Sequence, residues 1–302
     1  MKKLAILLSL LALGATLSAQ EADTSYWKKS GVATLNFTNT GFSPYWQAGG
    51  IPSVSLGGLV NLAGNYEKAN ITWSNTLDLG YGVIRQGGAD AGWRKNDDRI
   101  ELTSKFGSKI NDKLSASSLL NFRTQFAPGV TFNSAGEVQD TISRFLAPAF
   151  INLGVGIDYK PSADFSLYYA PINGKVTIVS DTAFSLLYMP ADFQGKNARF
   201  ELGSFLNVKF KKTLMTNVIL QSKADFFMNY LTNFGNVDVN WENLIAFQVN
   251  KYITTSFFTH LIYDDDIRFA IVDDAGQPTG RTGPRTQFKH VLSIGLTYKF
   301  LK

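Results

Sequence analysis

Apolar and polar residues alternate along most of this chain with a period of two. The last segment shows the pattern plainly. Leu292, Ile294, Leu296, Tyr298 and Phe300 share one parity, and Val291, Ser293, Gly295, Thr297 and Lys299 the other. Successive strand side chains point to opposite faces, so the pattern predicts a strand with one apolar side. The alternation recurs upstream. Ile71, Trp73, Leu77, Leu79, Tyr81 and Val83 oppose Thr72, Ser74, Thr76, Asp78 and Gly80. Ile100, Leu102, Phe106 and Ile110 oppose Arg99, Glu101, Thr103, Lys105 and Lys109. Similar runs fall around Leu114–Phe126, Ile151–Lys160, Arg199–Lys211, Leu214–Asn229 and Val237–Asn250. Each is about ten residues or longer, whereas strands of soluble domains average nearer five or six. A strand that crosses a bilayer needs about 9–11.

The connections sharpen this. Tight ones are expected at Glu67–Ala69, Asn111–Asp112, Pro161–Ala163, Lys211–Thr213 and Asn250–Lys251. Mostly longer ones are expected at Thr40–Pro52, Gln86–Asp97, Ala127–Arg144, Pro171–Asn197, Leu231–Asn236 and Asp265–Thr286. The two sets alternate strictly, as short periplasmic turns and long extracellular loops do in outer-membrane proteins. The predicted fold class is all-β: a transmembrane, antiparallel, up-and-down β-barrel of about twelve strands over residues 31–302. Within the longest connection, Val176–Met189 has strand-like character. It would either extend a strand pair above the membrane or fold inward as a plug. Trp73, Tyr81, Tyr159, Tyr230, Tyr263 and Tyr298 stand near the ends of apolar faces, where an aromatic girdle is expected.

Composition agrees. The 302 residues include 23 Phe and are 13% aromatic, yet mean hydropathy is −0.03, so apolar and polar residues must be finely interleaved. Met1-Lys2-Lys3, the apolar run Leu4–Leu13 and the small residues Ser18-Ala19 read as a secretory leader over 1–19. A short periplasmic segment, 20–30, would follow. Removing Lys2 and Lys3 lowers the net charge from +5 to +3 (5 − 2). The basic residues are scattered, so nucleic acid is not an expected partner. The expected partners are outer-membrane lipid and lipopolysaccharide, with envelope proteins a further candidate. The absence of cysteine excludes disulfides and thiol chemistry.

In several segments the chain resembles an uncharacterised family of Bacteroidota exported proteins, a barrel-like domain of unknown function. The matching segments are Trp27–Gly31, Leu35-Asn36-Phe37, Trp46-Gln47-Ala48-Gly49-Gly50, Asn75–Gly82, Arg94–Asp98 and Ser104–Gly107, followed by Arg123–Gly129, Leu146-Ala147-Pro148-Ala149 and Pro171–Lys175. Where many members have Ser-Gln after the first aromatic, this chain has Thr38-Asn39. The resemblance implies an outer-membrane location and a barrel. It brings no activity and no catalytic residues.

The residues themselves carry little catalytic signal. There are two histidines, His260 and His290, and no Gly-x-Ser-x-Gly motif, so no catalytic set is assigned. A lipid-modifying hydrolase using His260 as base is the least favoured of three readings. Asp264-Asp265-Asp266, with Asp273-Asp274 beyond, offers hard oxygen ligands but lacks the spacing of a calcium loop. A solvated loop pairing with Arg281 and Arg285 is the simpler expectation, and no metal or cofactor is assigned. The candidate site is the set of charges predicted to face the lumen: Arg99, Glu101, Lys105, Lys109, Arg123, Arg199, Glu201, Lys209, Lys223, Asp225, Asp238 and Glu242. Lys105 and Arg123, on neighbouring strands, would share one network. Two designs remain open. The charges line a pore or solute channel, or they pair to fill a plugged, structural barrel of an envelope complex.

Overall fold

The computed structural model describes residues 26–43, 45, 50–87, 91–133, 136–272 and 277–301. The leader and Asp273-Asp274 lie outside these. In chain order, β1 (Trp27–Thr40), β2 (Ser53–Lys68), β3 (Ile71–Gln86), β4 (Arg94–Lys109) and β5 (Leu114–Thr124) form a meander. A ribbon of β6 (Gly129–Phe132) and β7 (Val138–Ser143) interrupts it. Next come β8 (Ala149–Ser162), β9 (Phe165–Ile178), β10 (Ala198–Met215), β11 (Val218–Asn229), β12 (Asp238–Gln248) and β13 (Ile253–Tyr263). A second ribbon, β14 (Phe269–Val272) with β15 (Pro278–Gly283), precedes β16 (Gln287–Leu301). The twelve strands outside the ribbons close into one antiparallel barrel, ordered β1-β16-β13-β12-β11-β10-β9-β8-β5-β4-β3-β2. This is the predicted architecture. Closure comes from β1 against β16, with Leu35 opposite Leu296 and Phe37 opposite Ile294.

The burial pattern is the reverse of a water-soluble fold. Glu101 and Glu201 are each 2% exposed, whereas Leu292 is 64% and Ile172 66% exposed. Apolar side chains coat the outside of the wall and polar ones fill the inside. Several polar groups on the outer face pair with one another. Trp73 Nε1 donates to Ser104 Oγ at 2.8 Å, and Ser104 Oγ to Asn75 Oδ1 at 2.8 Å. Trp241 Nε1 donates to Ser222 Oγ at 2.9 Å, and Asn243 Nδ2 to Thr259 Oγ1 at 3.3 Å. Such pairing is what an environment without competing water demands. Tyr26, Trp27, Tyr66 and Trp73 cluster near the tight-turn rim, with centroids 5.4–6.0 Å apart.

Three boundaries differ from expectation. β1 starts at Trp27 where the alternation predicts Gly31, because Trp27 already pairs with Tyr66 on β2. The segment Lys211–Thr213, expected as a turn, lies inside β10, and the chain reverses at Thr216-Asn217. Pro171–Lys175, expected as loop, belongs to β9, and so do Val176–Ile178, which continue the strand pair with β10 as their strand-like character allowed. The pairing of β9 slips around Pro171 on both sides, between Val155 and Ile157 of β8 and between Gly203 and Phe205 of β10. That irregularity admits a proline, which has no N–H to give a ladder. Gly156 and Gly203 flank it, and the backbone comes so close that a Cβ at Gly156 would lie 1.9 Å from Tyr169 O.

The true connection, Val179–Asn197, adds no strand to the wall. It forms short helical turns, including α1 (Ser185–Tyr188). Val179, Phe184 and Met189 pack on Ala147 at the mouth, and Tyr188 Oη donates to Ile142 O at 2.9 Å. Gly156→Val should prevent closure at this point. The expected loss exceeds the about 1–3 kcal/mol of ordinary overpacking, because backbone rather than a side chain must move. The heat-modifiable gel shift of a folded barrel would report it, and full retention of that shift would refute the role given to Gly156.

Candidate functional site

The ring order lets side-chain contacts locate the charges. β12 is fourth in the ring and β4 tenth, so they face each other across the bore. Arg99 on β4 nevertheless reaches Glu242 on β12, with Nη1 2.9 Å from Oε1. Glu101, two residues along β4, accepts from Lys223 of β11 and, at 2.9 Å, from Asn121 Nδ2. These contacts can only be made through the interior, so the bore is bridged from wall to wall. Lys105 pairs with Asp158 of β8 at 2.6 Å. Lys175 on β9 pairs with Asp238 at 2.7 Å and with Glu201 at 3.6 Å. Arg199 lies 3.2 Å from Glu201 and 2.7 Å from Asp266. Asp225 accepts from Asn207 Nδ2 at 2.5 Å and from Asn240 Nδ2 at 3.4 Å. Lys109 reaches back to Glu67 at 2.5 Å near the tight-turn rim. Lys209 stands in register with Lys223.

Lys105 and Arg123 do not share a network. Arg123 is in register with Glu101, and Lys105 with Leu119 further along the same strand pair. Leu119, Tyr168, Ala170, Phe205 and Phe227 form a buried apolar cluster inside the barrel. Inward-facing apolar residues thus interrupt the polar lining.

Lys175 was missed in the sequence because Pro171-Ile172-Asn173-Gly174 reads as a turn. The alternation of Lys175 and Thr177 against Val176 and Ile178 was the available signal. Asp97 and Lys289, 2.8 Å apart, were missed because both lie where long connections meet strands.

The aspartate trio diverges. Asp265 accepts from Asn236 Nδ2 at 2.7 Å and from Tyr263 Oη at 3.3 Å. Asp266 takes Arg199, and Asp264 Oδ1 accepts from the Asp266 N–H at 2.9 Å. The cation that meets this trio is thus Arg199 from the wall, in place of the expected Arg281 or Arg285. Burial pushes the Asp264 carboxyl above its ordinary value; Lys175 opposes this and Asp238 adds to it. The histidines occupy opposite faces. His260 Nε2 lies in the bore, 2.6 Å from Asn240 Oδ1 and 3.8 Å from Glu242. His290 is exposed on the outer wall beside Phe257 and Phe288. They form no shared centre.

Above the bridge, toward the long connections, lies a chamber of about 290 Å³. Its lining includes the polar side chains of Arg123, Lys175, Asp225, Asp238 and His260 and the rings of Phe150, Phe205 and Phe227. Tyr188 and Asp264 reach it from the connections at the mouth.

Residues 37–130 match a family described as a protein of unknown function, DUF3078. No curated protein matches the chain. Among solved structures, the chain is similar to an outer membrane channel from Pseudomonas putida F1, at 10% identity over 94% of this chain and 100% of that one, with a TM-score of 0.41. It is also similar to the translocator domain of the autotransporter NalP from Neisseria meningitidis, at 12% identity over 96% and 94% of the two chains, with a TM-score of 0.39. Likenesses at this level bear on neither solute nor mechanism.

Glu101→Ala would leave Lys223 in the bore with only the more distant Asp225, at 4.0 Å, and the expected loss of unfolding free energy is up to about 3–5 kcal/mol. Adding Lys223→Met should recover part of that loss, since removing both partners leaves no orphan charge. Urea unfolding in micelles, followed by tryptophan fluorescence, would measure both. Strictly additive losses would mean that the pair is not coupled.

Proposed function

We propose that this chain is an exported outer-membrane β-barrel that forms a gated passage for a small solute. The carrying observation is the pair of contacts Arg99–Glu242 and Lys223–Glu101, which cross the bore beneath a chamber facing the long connections. A solute would enter the chamber from the long-loop side. The ion pairs below it would be the barrier, and their rearrangement would open the way. Placement in the membrane is supported by the inverted polarity of the wall, because an apolar outside and a polar inside suit a lipid-clad barrel. The outer face would meet lipid, with lipopolysaccharide at the long-loop rim. The same bridging contacts favour a second reading, a permanently closed barrel serving an envelope complex. Catalysis has less support, since His260 contacts an amide and a carboxylate.

Leu292→Arg tests the placement. At the middle of a lipid-facing strand an arginine costs about 2–4 kcal/mol. At a site as exposed as Leu292 on a water-soluble protein, the change would stay within about 0.5 kcal/mol. We expect the larger loss for refolding into liposomes.

Single-channel recording in a planar bilayer tests the gate. Wild type should be mostly closed. Glu101→Gln combined with Glu242→Gln keeps the side-chain shapes but removes both bridging anions, and should raise the open fraction at least about tenfold. A folded double variant as silent as wild type would leave the closed-barrel reading.

A further inference from the structure

Two cations line the chamber, Lys175 and Arg123, and among the described residues Arg123 has no ion pair. Of the lumen cations named above, Arg99, Lys105, Lys175, Arg199 and Lys223 each hold a carboxylate within the bore or at its mouth. Among the described residues, Arg123 has no carboxylate within 4.0 Å, and its Nε is buried without a hydrogen-bond partner. Lys209 also lacks an ion pair, but it does not line the chamber. Glu101 is in register with Arg123, but no oxygen of it lies within 4.0 Å of the guanidinium, and the nearby carboxylates have other partners. Glu101 Oε1 is held by Lys223 and Asn121, Asp238 by Lys175, and Asp225 by Asn207. The Arg123 guanidinium rests 5.8 Å from the centroid of the Phe150 ring. That contact holds the plane of the fork without using its donors. A half-buried arginine with no ion pair and an unpartnered Nε can receive a carboxylate, because the guanidinium matches a carboxylate edge with two parallel hydrogen bonds.

The remaining walls indicate what the carboxylate is attached to. Phe150, Phe205 and Phe227 line the same chamber and present aromatic surface. Ligand pockets run from about 300 to 1,000 Å³, so a chamber of about 290 Å³ admits a small body. We infer that the chamber binds a small organic carboxylate on an apolar or aromatic body, with Arg123 holding the carboxylate and the phenylalanines holding the body. The inference rests on the reading of the chamber as part of a solute pathway.

The test is calorimetric titration of the full chain in micelles with benzoate and with benzyl alcohol, its neutral analogue. Benzoate should bind saturably and benzyl alcohol at least about tenfold more weakly. Arg123→Gln, confirmed as folded by its heat-modifiable gel shift, should lose about ten- to a hundredfold in benzoate affinity, the range that a charge-assisted pair supplies. Arg123→Lys keeps the charge without the fork and should fall between. Equal binding of benzoate by wild type and Arg123→Gln would overturn the inference, as would equal binding of the two probes. Failure of both probes to bind wild type would overturn it while leaving the conductance result standing. Benzoate binding by a barrel whose double variant stays silent would refute the gate alone.

Discussion

A charge enclosed by a hydrogen-bonded wall must find a counter-charge or remain costly, and the interior of this barrel is arranged around that need. Desolvating an ion costs several kcal/mol even after relaxation, and only good geometry offsets it. Arg99 therefore extends across the bore to Glu242, and Lys223 to Glu101. Lys175 spans from β9 to β12 to reach Asp238. Each contact ties together strands that are not neighbours in the sheet. The pairs thus act as struts as well as neutralised charges, and they fix how far the walls can part.

The outside obeys the same rule with the opposite chemistry. Where water is excluded, a polar side chain needs a partner on its own surface. Ser104 and Ser222 each receive an indole N–H, and Asn243 bonds to Thr259. A wall with an apolar exterior and a paired interior leaves little freedom for function except at the mouth. There the chain departs from pure strand. Val179–Asn197 and the two ribbons supply surfaces that the meander cannot. The chamber forms where these connections meet the upper wall.

Much of this was legible in the sequence. Period-two alternation marked most of the wall strands, because each has one lipid-like face, and the alternating connection lengths gave the strand count. What failed were places where local chemistry contradicts the global role. Pro171-Ile172-Asn173-Gly174 has every mark of a turn, yet a bulge and two neighbouring glycines let it continue β9. Lys211-Lys212-Thr213 is polar and reads as a reversal, yet β10 runs past it to Met215. The site was legible only as a set of inward charges. Alternation states which face a residue occupies, but not its partner across the ring. Pairings such as Arg99 with Glu242 depend on the closure of twelve strands, which no local segment encodes. The free valence of Arg123 is one step further removed, since it emerges only after the other charges are matched.

The seam between β1 and β16 has a consequence for how the molecule is made. Thr34 and Thr297 meet there, their hydroxyl oxygens 3.2 Å apart, although 263 positions separate them in the chain. Folding that depends on such distant pairings is slow, because the entropy of closing the long loop is spent before the contact rewards it. Until β16 arrives, β1 presents an unpaired edge, and exposed edges recruit other chains. An intermediate lacking its final strand is then an open, adhesive sheet rather than a smaller barrel. Its safe assembly requires that this edge be shielded until the fifteen residues of β16, Gln287–Leu301, dock.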